Sequence, residues 1–151
     1  MNKSFPKNQG GVNMDFNVVE LQKWGDKRGF LVEFLRGTEL AKRKLKTDFA
    51  QIYLCTYEPN AIRGNHYHTE KDEFITILTG KVKAVFEDIN TKERKEMIID
   101  SEAETLKRVY IGKNVAHVFK NISNTMVSLV AYTSKEYDRN NPDQYDYTIP
   151  I

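Results

Sequence analysis

The chain has 151 residues, 40% hydrophobic and 29% charged, with a net charge of +2 and a single cysteine, Cys55. That length and balance describe one globular domain large enough to bury a real core. They give no reason to expect nucleic acid as a partner; they exclude an internal disulfide, and no apolar run is long enough to span a membrane as a helix.

Residues 1–14 are polar, rich in Asn, Lys, Gly and Gln, with no apolar core of the kind a signal peptide needs. They read as a flexible N-terminal arm, residues 15–151 as the folded domain, and a reducing cytoplasm as the expected location. Phe16–Leu21 has strand character. Trp24 to Leu35 reads as a turn and a strand, with Gly25 and Gly29 at the bends. Thr38 to Lys46 is the one helical stretch, and its Lys42-Arg43-Lys44-Leu45-Lys46 run is either a solvated face or a lip that attracts a diphosphate. Short strands then follow closely: 49–57, 62–68, 74–78, 81–86, 97–99, 107–111, 117–121 and 126–132. Cys55 falls in an apolar run, where a buried small hydrophobe is expected. The tail, with Tyr137, Tyr145 and Tyr147, has enough aromatic surface to pack across the domain. Many short strands with little helix predict an all-β, antiparallel sandwich or barrel.

All three histidines of the chain fall into one pattern. His66 and His68 are one residue apart, so on a strand they share a face. Glu73 follows after four residues, room for a turn that brings a carboxylate back toward them. His117 lies far along the chain, before another strand. Three imidazoles and one carboxylate suit a divalent transition metal, with zinc the expected ion.

These residues resemble the two motifs of cupins. Gly64-x-His66-x-His68-x4-Glu73-x6-Gly80 is similar to the first, and Gly112-x-Asn114-x2-His117-x3-Asn121 to the second. Families usually place proline at Gly112 and glycine at Asn114, where Asn is the next-best residue for a left-handed turn. The resemblance implies a single-domain jelly-roll barrel with His66, His68, Glu73 and His117 as metal ligands.

A narrower resemblance links Asp26-Lys-Arg28-Gly29-Phe30-x-x-Glu33, Gln51 and Arg63-Gly64-x-His66-Tyr67 to dTDP-4-dehydrorhamnose 3,5-epimerases. It implies Arg28, Gln51 and Arg63 as substrate contacts and His66 as the position of the catalytic base. Those epimerases carry glutamine near His68, use no catalytic metal, and place an acid tyrosine where Val130 stands. Arg63-Gly-Asn-His-Tyr-His and Asn141-Pro142-Asp143-x-Tyr145 look more like the metal-binding epimerase domain of bifunctional capsular polysaccharide enzymes. The dTDP-sugar 3,4-ketoisomerases share the His-x-His pair and use it without metal.

The implied activity is epimerisation of a nucleotide-linked 4-keto-6-deoxy hexose by deprotonation beside the ketone, in surface polysaccharide biosynthesis, by a homodimer. With His66 and His68 bound to metal, the base falls to Tyr67, Lys71, Asp72 or Tyr137. Without metal, His66 is the base and His68 its partner. A metal-free ketoisomerase, a sugar-binding cupin without activity, and an iron or manganese dioxygenase are the competing readings.

Overall fold

The computed structural model describes residues 14–26, 29–31, 34–45 and 50–151, with 24–26 and 29–31 described through their backbone. The chain runs β1 (Phe16–Leu21), β2 (Trp24–Asp26), β3 (Gly29–Leu31), α1 (Gly37–Lys42), β4 (Gln51–Tyr57), β5 (Ile62–Tyr67), β6 (Glu73–Thr79), β7 (Lys81–Asp88), β8 (Arg94–Asp100), β9 (Leu106–Ile111), β10 (Val115–Asn121), β11 (Val127–Thr133) and β12 (Tyr145–Asp146). Two five-stranded sheets form, in the orders β1-β9-β6-β11-β4 and β12-β5-β10-β7-β8, and every strand pair is antiparallel. The domain is the jelly roll its strand pattern and motifs imply. No helix among the described residues is long and apolar enough to cross a membrane.

Strand alternation decides what lies between the sheets. Along β10, Val115, His117 and Phe119 face inward, while Ala116 and Val118 face outward. On β6, Ile75 and Ile77 enter the main core beside Phe86, Ile99, Val109, Leu129 and Ala131. The intervening Phe74 points out, where Tyr110, Tyr132 and Leu40 of α1 cover it. The helix is therefore a lid on the outer face of the first sheet. It is shorter than the sequence suggests because Arg43 leaves helical geometry and Lys44 turns left-handed, at φ 58°.

That placement settles the basic run. Lys42 and Lys44 are exposed, and Arg43 lies 3.5 Å from the centre of the Tyr110 ring. Lys42 and Arg43 border an outer cavity on the face of the first sheet turned away from the histidines, so the run is no lip to their pocket; Lys46 lies outside the described residues. Strand β1 pairs with β9 along its whole length, from Phe16↔Ile111 to Leu21↔Leu106, so it completes its own sheet. The hairpin β2–β3 that follows pairs only with itself among the described residues.

The tail does pack across the domain. Tyr145 and Asp146 pair with Tyr67 and His66 and extend the second sheet past β5. Ile149, 2% exposed, joins Val85, Ala116 and Val118 in a small outer core with Tyr67 and Tyr147.

Candidate metal centre and its two cavities

Glycine at position 64 shapes the site. Strand β10 pairs His117 with His66 and Val118 with Gly64, leaving Asn65 as the extra residue of a bulge. Gly64 has φ 102° and Asn65 φ 57°. A Cβ on Gly64 would run into the His117 carbonyl oxygen and stand 2.9 Å from Val118 Cα. The bulge turns His66 toward His117, and the ring centroids stand 4.7 Å apart, edge to face. Asn65 also holds the tail, accepting hydrogen bonds from Tyr147 N–H through its carbonyl (2.7 Å) and from Ile149 N–H through Oδ1 (2.9 Å). In the second motif, Asn114 takes the left-handed turn expected of it, φ 63°, and its N–H donates to the His68 carbonyl at 2.7 Å.

The four residues of the sequence pattern come together. Nitrogens of His66, His68 and His117 all lie within 4.8 Å of one another. Glu73 Oε2 is 3.5 Å from His68 Nε2 and 3.4 Å from His117 Nε2. His68, Glu73 and His117 are each 3% exposed, and His66 is half-buried.

The donor set fits a cation. The Nδ1 of His68 meets the Asp143 carbonyl at 2.6 Å, and the Nδ1 of His117 meets the Val115 carbonyl at 3.3 Å. A carbonyl only accepts, so both rings carry a proton on Nδ1. In the neutral rings both Nε2 lone pairs then face the same carboxylate oxygen. Neither His68 Nε2 nor Glu73 Oε2 has a hydrogen-bond partner. Burial, with the charges of His117 and His68 behind it, pushes His66 down to about 3. Burial likewise holds His117 below the ordinary histidine range. Burial alone would raise Glu73, but contact with His68 and the charges of His117, His68 and Lys71 override it, to about 2. Neutral His66 and His117 near an ionised Glu73 are the state metal ligation requires.

Two cavities flank the cluster, with Tyr53 and His66 in the walls of both. The first, about 340 Å³, is lined by Tyr57, Arg63, Ile75, His117, Phe119 and Gln144 among others. Arg63 is exposed at its edge, 5.7 Å from the Tyr57 ring centre. Cys55, expected to be buried, is half-buried and lines this cavity. The second, about 240 Å³, is lined by Gln51, His68, Lys71, Glu73, Thr133 and Tyr137. Lys71 is 7% exposed, with Nζ 5.9 Å from the centre of the Tyr137 ring. Gln51 borders the cavity, but its Oε1 is taken by the Tyr137 N–H at 2.8 Å.

Other sequence expectations need correction. Tyr67, a candidate base in the sequence, points to the opposite face of β5 from His66, stacks on Tyr145 at 5.3 Å and borders neither cavity. Asp72 accepts hydrogen bonds from Tyr110 and Ser134 and is likewise outside the cavities. Val130 lies between the inward-facing Leu129 and Ala131, so no β11 side chain at that position could reach the site. Arg28 lies outside the described residues. A hydroxyl does reach the cluster, from a residue the motifs do not mark: Tyr53 OH donates to Glu73 Oε1 at 3.3 Å. Burial first, then the Glu73 charge, raise this phenol, so it stays protonated. Period-2 alternation along β4, which puts Gln51, Tyr53, Cys55 and Tyr57 on one face, is the signal that identifies it.

The family model described as polysaccharide biosynthesis C-terminal domain matches residues 24–145. The chain belongs to that family. It is 28% identical over 131 residues to the spore coat polysaccharide biosynthesis protein SpsL of Bacillus subtilis, covering 84% of this chain and 83% of SpsL. It also resembles the capsular polysaccharide assembling protein CapF of Staphylococcus aureus, with TM-score 0.63 and 25% identity, covering 85% of this chain. The chain spans about a third of CapF, 34%. The fold is shared with the dTDP-6-deoxy-D-glucose-3,5-epimerase of Legionella pneumophila, at TM-score 0.73 and 20% identity, covering 87% of this chain and 71% of that one.

Proposed function

We propose that this polysaccharide biosynthesis domain is a nucleotide-sugar epimerase that exchanges a carbon-bound proton beside the ketone of a 4-keto-6-deoxy hexose. The carrying observation is the convergence of three imidazoles and one carboxylate in the shared wall of two cavities, one of them edged by Arg63. The family match supports surface polysaccharide biosynthesis as the setting. The Legionella neighbour, in complex with dTDP-4-keto-L-rhamnose, supports the substrate class.

Removing a proton beside a ketone leaves negative charge on the keto oxygen, and stabilising that charge is the main energetic task. His66, His68, Glu73 and His117 would hold a divalent cation, zinc by this set of N and O donors, which supplies a Lewis acid to that oxygen when bound. His66, held neutral, is a weak proton acceptor, which favours the ligand role over that of base. Lys71 is the basic nitrogen of the second cavity outside the histidine cluster, and we assign it the proton transfer, with Tyr137 beside it. Tyr53 holds Glu73 in place. The sugar would span the two cavities where they meet at Tyr53 and His66, its reacting end reaching Lys71 in the second and the nucleotide left outside the first, where Arg63 meets the diphosphate.

The test is proton NMR of nucleotide-linked 4-keto-6-deoxy hexoses incubated with the protein in heavy water. Deuterium is expected at one carbon beside the ketone, with inversion, and Lys71→Met should abolish exchange while leaving binding. Movement of the ketone supports a ketoisomerase. Binding of several such sugars without deuterium uptake ends the enzyme reading in favour of a binding module. Metal analysis of protein purified without a metal resin tests the zinc assignment.

The same reading includes a homodimer. Edge strand β4 carries Ile52 and Leu54, 52% and 73% exposed, and β2–β3 forms a separate two-stranded sheet.

A further inference from the structure

Asp143 comes from the tail, 75 residues beyond His68, yet it touches the metal centre in two ways. Its carbonyl takes the His68 ring at Nδ1, 2.6 Å away. Its carboxylate accepts four hydrogen bonds from the loop between β5 and β6. Thr69 N–H and Thr69 Oγ1 donate to Oδ1, each at 2.9 Å, while Glu70 N–H and Lys71 N–H donate to Oδ2 at 3.0 and 3.1 Å. The residue is 4% exposed and sits in a left-handed conformation, φ 45°, which Asp tolerates better than most residues.

That loop separates His68 from Glu73 by four residues and also carries Lys71. Three consecutive N–H groups converging on one carboxylate make an anion nest, which sets the loop's path and with it the spacing of the two ligands. The carbonyl contact sets which nitrogen of His68 faces the centre. Resting on the metal reading above, we propose that Asp143 is the positioning residue of this centre: it locks His68 in the Nδ1–H tautomer and fixes the loop that spaces His68, Lys71 and Glu73. The tail is thereby a working part of the site.

Asp143→Asn is the discriminating variant, because Asn keeps the left-handed backbone and the carbonyl while turning one of the two acceptor oxygens into a donor. Nitrogen-15 NMR of the histidine rings in metal-free full-length protein should show His68 as the Nδ1–H tautomer in the wild type and, because the carbonyl is kept, in the variant too, so that the variant isolates the carboxylate's hold on the loop. Zinc affinity, measured by chelator competition, should fall about 10-fold or more, the usual effect of losing such an outer partner. Normal zinc affinity in the variant, or a wild-type His68 protonated on Nε2 instead of Nδ1, overturns the proposal, whatever happens to the melting temperature. If Asp143→Asn does not fold, Thr69→Val removes one of the four donors and should still weaken zinc binding; unchanged affinity there overturns it too. A wild-type chain that binds no divalent metal ends the metal reading, and the wild-type His68 tautomer in metal-free protein still tests the carbonyl contact from Asp143.

Discussion

Gly64 shows how one missing Cβ places a metal ligand. The φ of 102° and the approach of the β10 backbone both require glycine there. Gly64→Ala is therefore expected to cost about 2–3 kcal/mol, the scale of a strained backbone residue, and to move His66 away from His117. Denaturant unfolding reads the first effect and loss of zinc binding the second; a variant equal to the wild type in both would show that the bulge does not set the site. The His-x-His pair was readable in the sequence because a strand has period 2 and histidines are few. His117 was readable through the motif around it. Tyr53 was harder, since a tyrosine in a strand is ordinary until a carboxylate is found facing it. Asp143 acts on His68 through its backbone carbonyl, which no side-chain pattern can announce.

At the scale of elements, α1 is held by charge as well as by Leu40. Arg108, 3% exposed on β9, reaches out of the first sheet to both oxygens of Glu39 and to the Phe34 carbonyl. Glu39 also caps the helix start by accepting from the Arg36 N–H at 3.0 Å. The hydrogen bonds from Arg108, set against a smaller effect of burial, hold the Glu39 carboxyl below its ordinary range. A depressed folded pKa contributes stability that is complete above the unfolded value of about 4.3 and is lost as pH falls through the folded value. Glu39 is 32% exposed, so solvent screening limits the pair to about 1 kcal/mol. Glu39→Gln should be less stable than the wild type by that order at pH 7, with the difference closing below about pH 4. Parallel urea melts across that range check it, and a constant difference would locate the stabilisation elsewhere than in the charge. The helix was legible from Glu39 and Leu40, but its ends were not: Arg36 and not Thr38 stands at its N-cap, and Arg43 leaves the helix to lie on Tyr110, a contact between distant parts of the chain.

For the whole molecule, the unresolved demand is the outer row of β4. This strand is the edge of the first sheet, paired only with β11 among the described residues. An exposed apolar edge is a site of further strand pairing unless something covers it. Leu54 at 73% and Ile52 at 52% exposure point outward from it, and neither cavity uses them. A second copy is the proposed cover, with the self-paired β2–β3 hairpin available to reach across. Light scattering at micromolar concentration should give twice the 17.6 kDa chain mass. Leu54→Lys places a charge in the middle of the edge without touching the core, so it should shift the protein toward monomer while the far-ultraviolet spectrum stays unchanged. A wild-type monomer ends the dimer proposal. A Leu54→Lys protein that remains fully dimeric moves the interface away from β4, and because Gln51, Tyr53, Cys55 and Tyr57 on the same strand face the cavities, it would also separate assembly from the chemistry of the site.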